Sequence, residues 1–128
     1  MDRTGTPDDE VDHLRVHTGA LGLGAAGVLQ GLKATTHWLA HDALKQFGAI
    51  PTKERVVRDG KVVTAAGVSS GIDMALTLVA KEFGEAAAQG VQLLIEYDPH
   101  PPFDAGSPDK APPLVVSGAR EEFRKLNQ

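Results

Sequence analysis

The chain has 128 residues, a length suited to one domain with one core. Its 41% apolar and 23% charged residues give an ordinary globular balance, and a net charge of −4 lacks the basic footprint of a nucleic-acid binder. The absence of cysteine excludes disulfides, thiolate metal sites and a cysteine nucleophile in the chain as written.

Met1 to Asp12 is polar and acidic, with Gly5 and Pro7, and reads as a loose lead-in over residues 1–12 before a domain over 13–128. No run approaches the roughly 18 apolar residues of a membrane span, and no targeting leader is read. The expectation is a soluble cytoplasmic protein with no membrane or nucleic-acid partner.

Asp12 to Val16 reads as a short strand, followed by a Thr18-Gly19 step and an apolar run to Gln30. This is the layout of a strand, a tight turn and a helix start, with His17 on the tip. In many α/β enzymes the tip residue is the nucleophile. The run from Thr18 to Gln30 is apolar nearly all round and predicts a fully buried helix ending at Gly31. Its glycines cost about 1 kcal/mol each against Ala, which suits a place where another backbone comes close. Thr35 or Thr36 is then a cap for a helix from His37 to Phe47, stopped by Gly48 and Pro51, with Trp38, Leu39, Leu44 and Phe47 as its apolar contacts. Asp59-Gly60 between Arg55–Arg58 and Lys61–Thr64 predicts a hairpin with a type I′ turn.

Ala65 to Gly71 reads as a small-residue turn opening a helix from Ile72 to Phe83, with Ser69 or Ser70 as cap, Asp73 in the first turn, and Ile72, Leu76 and Val79 as its inner stripe. Gly84 separates it from a helix over Glu85 to Tyr97 with the stripe Ala87, Val91, Leu94 and Ile95. Asp98 to Pro113 holds six prolines and reads as an extended connector, and Ser117 to Leu126 as a short terminal helix. Strands are few for so many apolar helices, and nothing before His17 is expected to form a parallel sheet.

Several constellations have a chemical and a plainer reading. Ser69 and Ser70 lack a Gly-x-Ser-x-Gly elbow and read better as caps than as nucleophiles. Asp73 reads better as a helix-start charge than as an acid-base residue. Gly22-x-Gly24-x-x-Gly27 matches a dinucleotide pattern formally, but falls inside the helix and is rejected.

A set of blocks resembles one family. Thr18-Gly19-Ala20-Leu21, Ala25-Ala26-Gly27-Val28-Leu29, Ala34-Thr35-Thr36-His37-Trp38 and Gly48-Ala49-Ile50-Pro51 come first. Arg55-Val56-Val57-Arg58-Asp59, Gly67-Val68-Ser69-Ser70-Gly71-Ile72-Asp73, Glu96-Tyr97-Asp98-Pro99 and Pro101-Pro102-Phe103 follow. Together they resemble the C-terminal half of the DJ-1/PfpI superfamily, and within it the isocyanide hydratases. The resemblance implies a flavodoxin-like, three-layer α/β sandwich of the class I glutamine amidotransferase type, present here as its C-terminal half. It also implies a homodimer, no cofactor and no metal. The implied activity is hydration of an isocyanide to an N-substituted formamide. In that family the elbow is a cysteine whose thiolate attacks the isocyanide carbon, and water then releases the formamide. Thr18, Gly19 and nearby backbone N–H groups would hold the site, with a carboxylate from the first half assisting. His37, Ser70 and Asp73 would line the pocket.

This chain departs from that pattern at position 17, which is His17, and in residues 1–13, which do not resemble the family segment before the elbow. A truncated frame or a degenerate copy accounts for both. A neutral imidazole at a helix start is a poor substitute for a low-pKa thiolate. As a metal ligand, His17 would need His13 or the i, i+4 pair His37 and His41. The favoured reading of His17 is a replaced, inactive elbow, and that of His37 a local structural brace. The function expected is thus an impaired isocyanide-hydratase-like protein, with a non-catalytic remnant or interaction subunit as the alternative. The apolar helix after the elbow is expected to need a covering partner, giving weak solubility or obligate association.

Overall fold

The computed structural model describes Val11 and residues 13–128; the rest of the 1–12 lead-in lies outside the described residues. It divides between Tyr97 and Asp98 into two compact units. Among the described residues the first holds five strands: β1 (His13–Val16), β2 (Lys33–Ala34), β3 (Ile50–Pro51), β4 (Val56–Asp59) and β5 (Val62–Ala65). One sheet has the order β1-β5-β4, and β2 pairs with β3 in a second.

β1 lies parallel to β5, with His13 opposite Val62 and Val16 opposite Ala65. The segment before His17 therefore does join a parallel pair, contrary to expectation. Its partner lies later in the chain, and residues 17–61 supply the long crossover that parallel pairing requires. All four residues of β5 are buried. This central strand is covered on both faces, which is why it reads as a continuous Val-Val-Thr-Ala run. Val62 packs with Ala20, Leu23, Leu29, Ala34, Leu44 and Ala49. Val63 and Ala65 pack with Met74, backed by Val16, Val56 and Leu78.

The hairpin forms, but one residue out of the expected place. Asp59 pairs with Val62, so the two-residue loop is Gly60-Lys61. Gly60 has φ 60° and Lys61 is not among the positive-φ residues, whereas a type I′ turn needs positive φ at both. Glycine at the first central position is the requirement of a type II′ turn. Asp59 is left in the strand, where its carboxylate accepts from the Lys33 backbone N–H at 2.8 Å and ties β2 to the hairpin.

Helix α1 (Gly19–Ala25) is shorter than the expected 18–30 segment and is buried on one face only, at Ala20, Leu23 and Gly24. Its glycines weaken the helix, and the chain turns out of it at Gly27, φ 79°, well before Gly31. The close approach expected at a glycine is real but involves a side chain. A Cβ on Gly24 would stand 2.5 Å from Cδ2 of the Phe47 ring.

The segment Trp38–Phe47 is a 3₁₀ helix. Its cap is His37, whose Nδ1 accepts from the Leu39 N–H at 3.3 Å, rather than Thr35 or Thr36. Both threonines are buried and engaged elsewhere. Gly48, in the left-handed region, ends the segment as anticipated. Of its expected apolar contacts only Leu44 is fully buried.

Helix α2 (Val68–Phe83) starts earlier than expected, with Gly67 at its N-cap and no side-chain cap. Ser69 and Ser70 are consequently inside its first turn instead of capping it, and Asp73 lies beyond that turn. The inward residues are Ser70 and Met74, with Leu78 against the same cluster, in place of Ile72, Leu76 and Val79. Helix α3 (Glu85–Leu94) packs along α2 and buries only Ala88. The stripe expected to face inward there is exposed instead, Leu94 at 87% and Ile95 at 57%. Exposed apolar side chains thus stand on α3, among other places, while the inner face of α1 is covered by the 3₁₀ segment and β1.

In the second unit, residues 98–112 are proline-rich and, rather than running extended as expected, bend repeatedly, with a turn closed by the Lys110 and Ala111 N–H groups on the Ser107 carbonyl and a Lys110–Asp104 ion pair at 3.1 Å. Helix α4 (Pro113–Leu126) starts four residues ahead of the expected Ser117, with Pro113 in its first turn, where its missing N–H costs nothing. Among the described residues no helix is long and apolar enough to cross a membrane.

Candidate active site

The elbow is built from the end of β1 and the start of α1. His17 has φ 58°, in the left-handed region that side-chain-bearing residues seldom adopt. Two backbone anchors hold it there. Its N–H donates to the Ala65 carbonyl at 3.0 Å, extending the β1–β5 ladder by one residue. Its carbonyl accepts from Thr36 Oγ1 at 2.5 Å. Strain at such a position persists only where surrounding contacts fix it, and both backbone groups of His17 are fixed.

Thr18 follows as the N-cap of α1, and its hydroxyl lies 3.3 Å from His17 Nδ1 rather than capping the helix. Gly19 opens the helix and lies against the Arg15 side chain. The wall opposite is the Thr35-Thr36-His37 block. The Thr35 N–H donates to Thr64 Oγ1 at 2.9 Å, fixing the block to the central strand.

His37 and His17 meet: their ring centroids are 4.3 Å apart with planes inclined by 39°. Burial pulls the His37 imidazole below the ordinary histidine range, and the neighbouring His17 pushes it the same way. A neutral His37 therefore faces the elbow at neutral pH. Because Nδ1 accepts from Leu39, its proton resides on Nε2, which makes the free edge of the ring a hydrogen-bond donor. His41 does not join them, since its Nε2 lies 3.3 Å from the Thr52 carbonyl. Among the described residues no group of three or more His, Asp or Glu is placed to hold a metal ion.

Ser70 and Asp73 stand differently. Ser70 is buried on α2, one residue before Gly71, which lies directly against Val16 beneath the elbow. Asp73 is committed to other partners. Its carboxylate accepts from Tyr97 Oη at 2.6 Å and from Arg55 Nη2 at 2.6 Å and Nε at 3.1 Å. Partial burial raises the Asp73 carboxyl, but the Tyr97 and Arg55 hydrogen bonds and the Arg55 charge outweigh it and hold the group below its usual range. The same bond to Asp73 raises the Tyr97 hydroxyl. The Arg55–Asp73–Tyr97 cluster was not foreseen. Its three residues lie in separate segments; the family blocks named each of them, but nothing in their spacing joined them.

A strand, an elbow in left-handed backbone and a helix, mounted on a sheet covered from both sides, define an α/β protein of the nucleophile-elbow type. Comparison with known proteins narrows this. The DJ-1/PfpI family model matches residues 15–81, which run from the elbow through most of α2, and the chain belongs to that family. It is 59% identical over 106 residues to an isonitrile hydratase of Pseudomonas putida, covering 83% of this chain and 46% of that protein. It is 34% identical over 82 residues to protein DJ-1 homolog A of Arabidopsis thaliana, covering 64% of this chain and 21% of that one. Among solved structures it is similar to a ThiJ/PfpI family protein from Pseudomonas syringae, with TM-score 0.83 and 49% identity over 88% of this chain and 46% of that one. The chain thus has the ThiJ/PfpI α/β fold and spans less than half the length of these relatives.

Proposed function

We propose that this chain carries an isocyanide-hydratase-like site whose nucleophile position is occupied by His17, so that covalent hydration is impaired in the chain as it stands. The observation that carries the reading is the backbone of residue 17. It sits at φ 58° between β1 and α1 with both its N–H and its carbonyl anchored. This backbone supports reading residue 17 as the mount of an elbow nucleophile, and the similarity to the P. putida isonitrile hydratase supports the substrate class.

Net hydration adds one water across the isocyanide carbon and nitrogen to give an N-substituted formamide. The first bond needs a strong, soft nucleophile on that carbon. A thiolate meets that need; a neutral imidazole does not. Thr18 and the backbone at Gly19 would hold the substrate end, with the His37 ring beside residue 17.

The test is to incubate an aryl isocyanide with the unmodified chain and with His17→Cys, following formamide by chromatography and adducts by intact mass. The expected result is an isocyanide adduct on His17→Cys and none on the unmodified chain. Formamide production by the unmodified chain at the rate of the variant would overturn the reading. The exposed Leu93, Leu94 and Ile95 support association with a second copy, the homodimer expected of the family, which sedimentation of the purified chain measures.

A further inference from the structure

We infer that His17 and His37 form a proton-operated latch between the elbow and the 3₁₀ segment, closed when the His37 ring is neutral and released in acid. The inference goes beyond the proposed function and holds whether or not position 17 performs chemistry.

Two ties join the elbow to the segment that begins at His37. One is the Thr36 hydroxyl bond to the His17 carbonyl; the other is the ring contact at 4.3 Å. The second depends on charge. In the neutral state His37 Nδ1 is an acceptor and caps the 3₁₀ helix through the Leu39 N–H. A second proton on this ring has only Nδ1 to bind. It would turn the acceptor into a donor aimed at another donor, and the cap would be lost. The same proton would place a cation against the second imidazole, in a half-buried setting where charge is costly.

Among the described residues, nothing packed around His37 offsets that charge. Helix α1 carries no titratable side chain, and neither does β3. On the 3₁₀ segment, His41 is held toward the Thr52 carbonyl, and Asp42 and Lys45 face one another at 3.9 Å, both exposed. On β1, Arg15 donates to the Leu14 carbonyl, and His13 is the other titratable group. On β2 the titratable residue is Lys33. Among the described residues no carboxylate holds the imidazolium, and the neighbouring His17 disfavours it. Acid therefore opposes the closed arrangement twice, by removing the cap and by repulsion across the pair.

Trp38 is the single tryptophan and lies 6.0 Å from the His37 ring, which makes it a built-in reporter, because an imidazolium quenches indole emission. The experiment is a fluorescence titration of the full chain from neutral pH into acid, with amide exchange at Leu39 followed over the same range. Emission should fall in one step with its midpoint below the ordinary histidine value of about 6.5. Leu39 should lose protection across that step. His17→Gln should move the midpoint upward, His37→Gln should abolish the step, and His41→Gln should leave it in place. A midpoint at or above the ordinary value, or one unmoved by His17→Gln, would overturn the latch. So would unchanged protection of Leu39. Should His37→Gln fail to fold, the Cε1–H resonance of His37 in the unmodified chain reads the same midpoint directly.

Discussion

Phe47 lies across Gly24 so closely that a Cβ added there would stand 2.5 Å from Cδ2, 2.6 Å from Cγ and 2.9 Å from Cβ of Phe47. Contact with the root of the ring as well as its edge means that Phe47 cannot simply swing away. Gly24→Ala should therefore destabilise the chain, although alanine is the better helix former by about 1 kcal/mol. Overpacking costs about 1–3 kcal/mol, so the expected net loss is about 0–2 kcal/mol, toward the upper end for so close a contact. Thermal unfolding measures it, and Phe47→Leu in the same chain should recover part of the loss. A Gly24→Ala protein as stable as the parent would show that the contact is not tight in solution.

The elbow makes a second prediction through its backbone alone. For an L-residue the left-handed conformation costs about 1–2 kcal/mol, less for Asn and nothing for Gly. At position 17, with φ 58°, stability should fall in the order Gly, Asn, Val. His17→Val should lie about 1–2 kcal/mol below His17→Asn. Both lose the contact with His37, so their difference isolates the backbone. Equal unfolding temperatures for the two would mean that residue 17 relaxes out of the elbow conformation.

Asp73 and Tyr97 predict a two-sided pH dependence. The folded Asp73 carboxyl lies below its unfolded value of about 3.9, so its contribution is present above that pH and is lost as pH falls through the folded value. The folded Tyr97 hydroxyl lies above its unfolded value of about 10, so its contribution is present below that pH and is lost as pH rises through the folded value. Asp73→Asn should flatten the acid limb by less than about 1 kcal/mol, the scale of exposed pairs. Tyr97→Phe should flatten the alkaline limb. Denaturant midpoints across pH read both, and an alkaline limb unchanged in Tyr97→Phe would contradict the assignment.

The strand, tip residue and helix start around His17 were legible because each step has its own local signal: an apolar run, a Thr-Gly step and small residues. The family blocks carried the fold. The mistaken details share a cause, since tertiary contacts overrode local preference. Thr35 and Thr36 resemble caps, yet the Thr36 hydroxyl is drawn to the His17 carbonyl and the Thr35 backbone N–H to Thr64, which fixes both ahead of the helix that His37 caps. Ser70 resembles a cap, yet helix α2 begins ahead of it and turns it inward. Asp59-Gly60 resembles a turn centre, yet the side chain of Asp59 is taken by the Lys33 N–H and the loop moves on by one residue. No spacing rule brings positions 17 and 37, or 73 and 97, into contact. Those pairs depend on how the crossover and the α2–α3 turn close in space.

The bond from the Thr35 N–H to Thr64 Oγ1 gives the sharpest stability test. Both residues are buried, Thr64 at 0% and Thr35 at 1% exposure, so water cannot replace a lost partner. Thr64→Val keeps the shape and the β-branch and removes the hydroxyl, and with it the acceptor for the Thr35 N–H. It should cost about 1–3 kcal/mol, the penalty of a buried unpaired donor, against a gain of a few tenths from the added methyl. Thr64→Ser keeps the acceptor and loses a methyl, about 1 kcal/mol by transfer. The bond also fixes the block that presents His37 to the elbow. Thr64→Val should therefore perturb Trp38 emission at neutral pH, and Thr64→Ser should not. If the valine variant is the more stable of the two, the threonine pair is not what holds that wall in place.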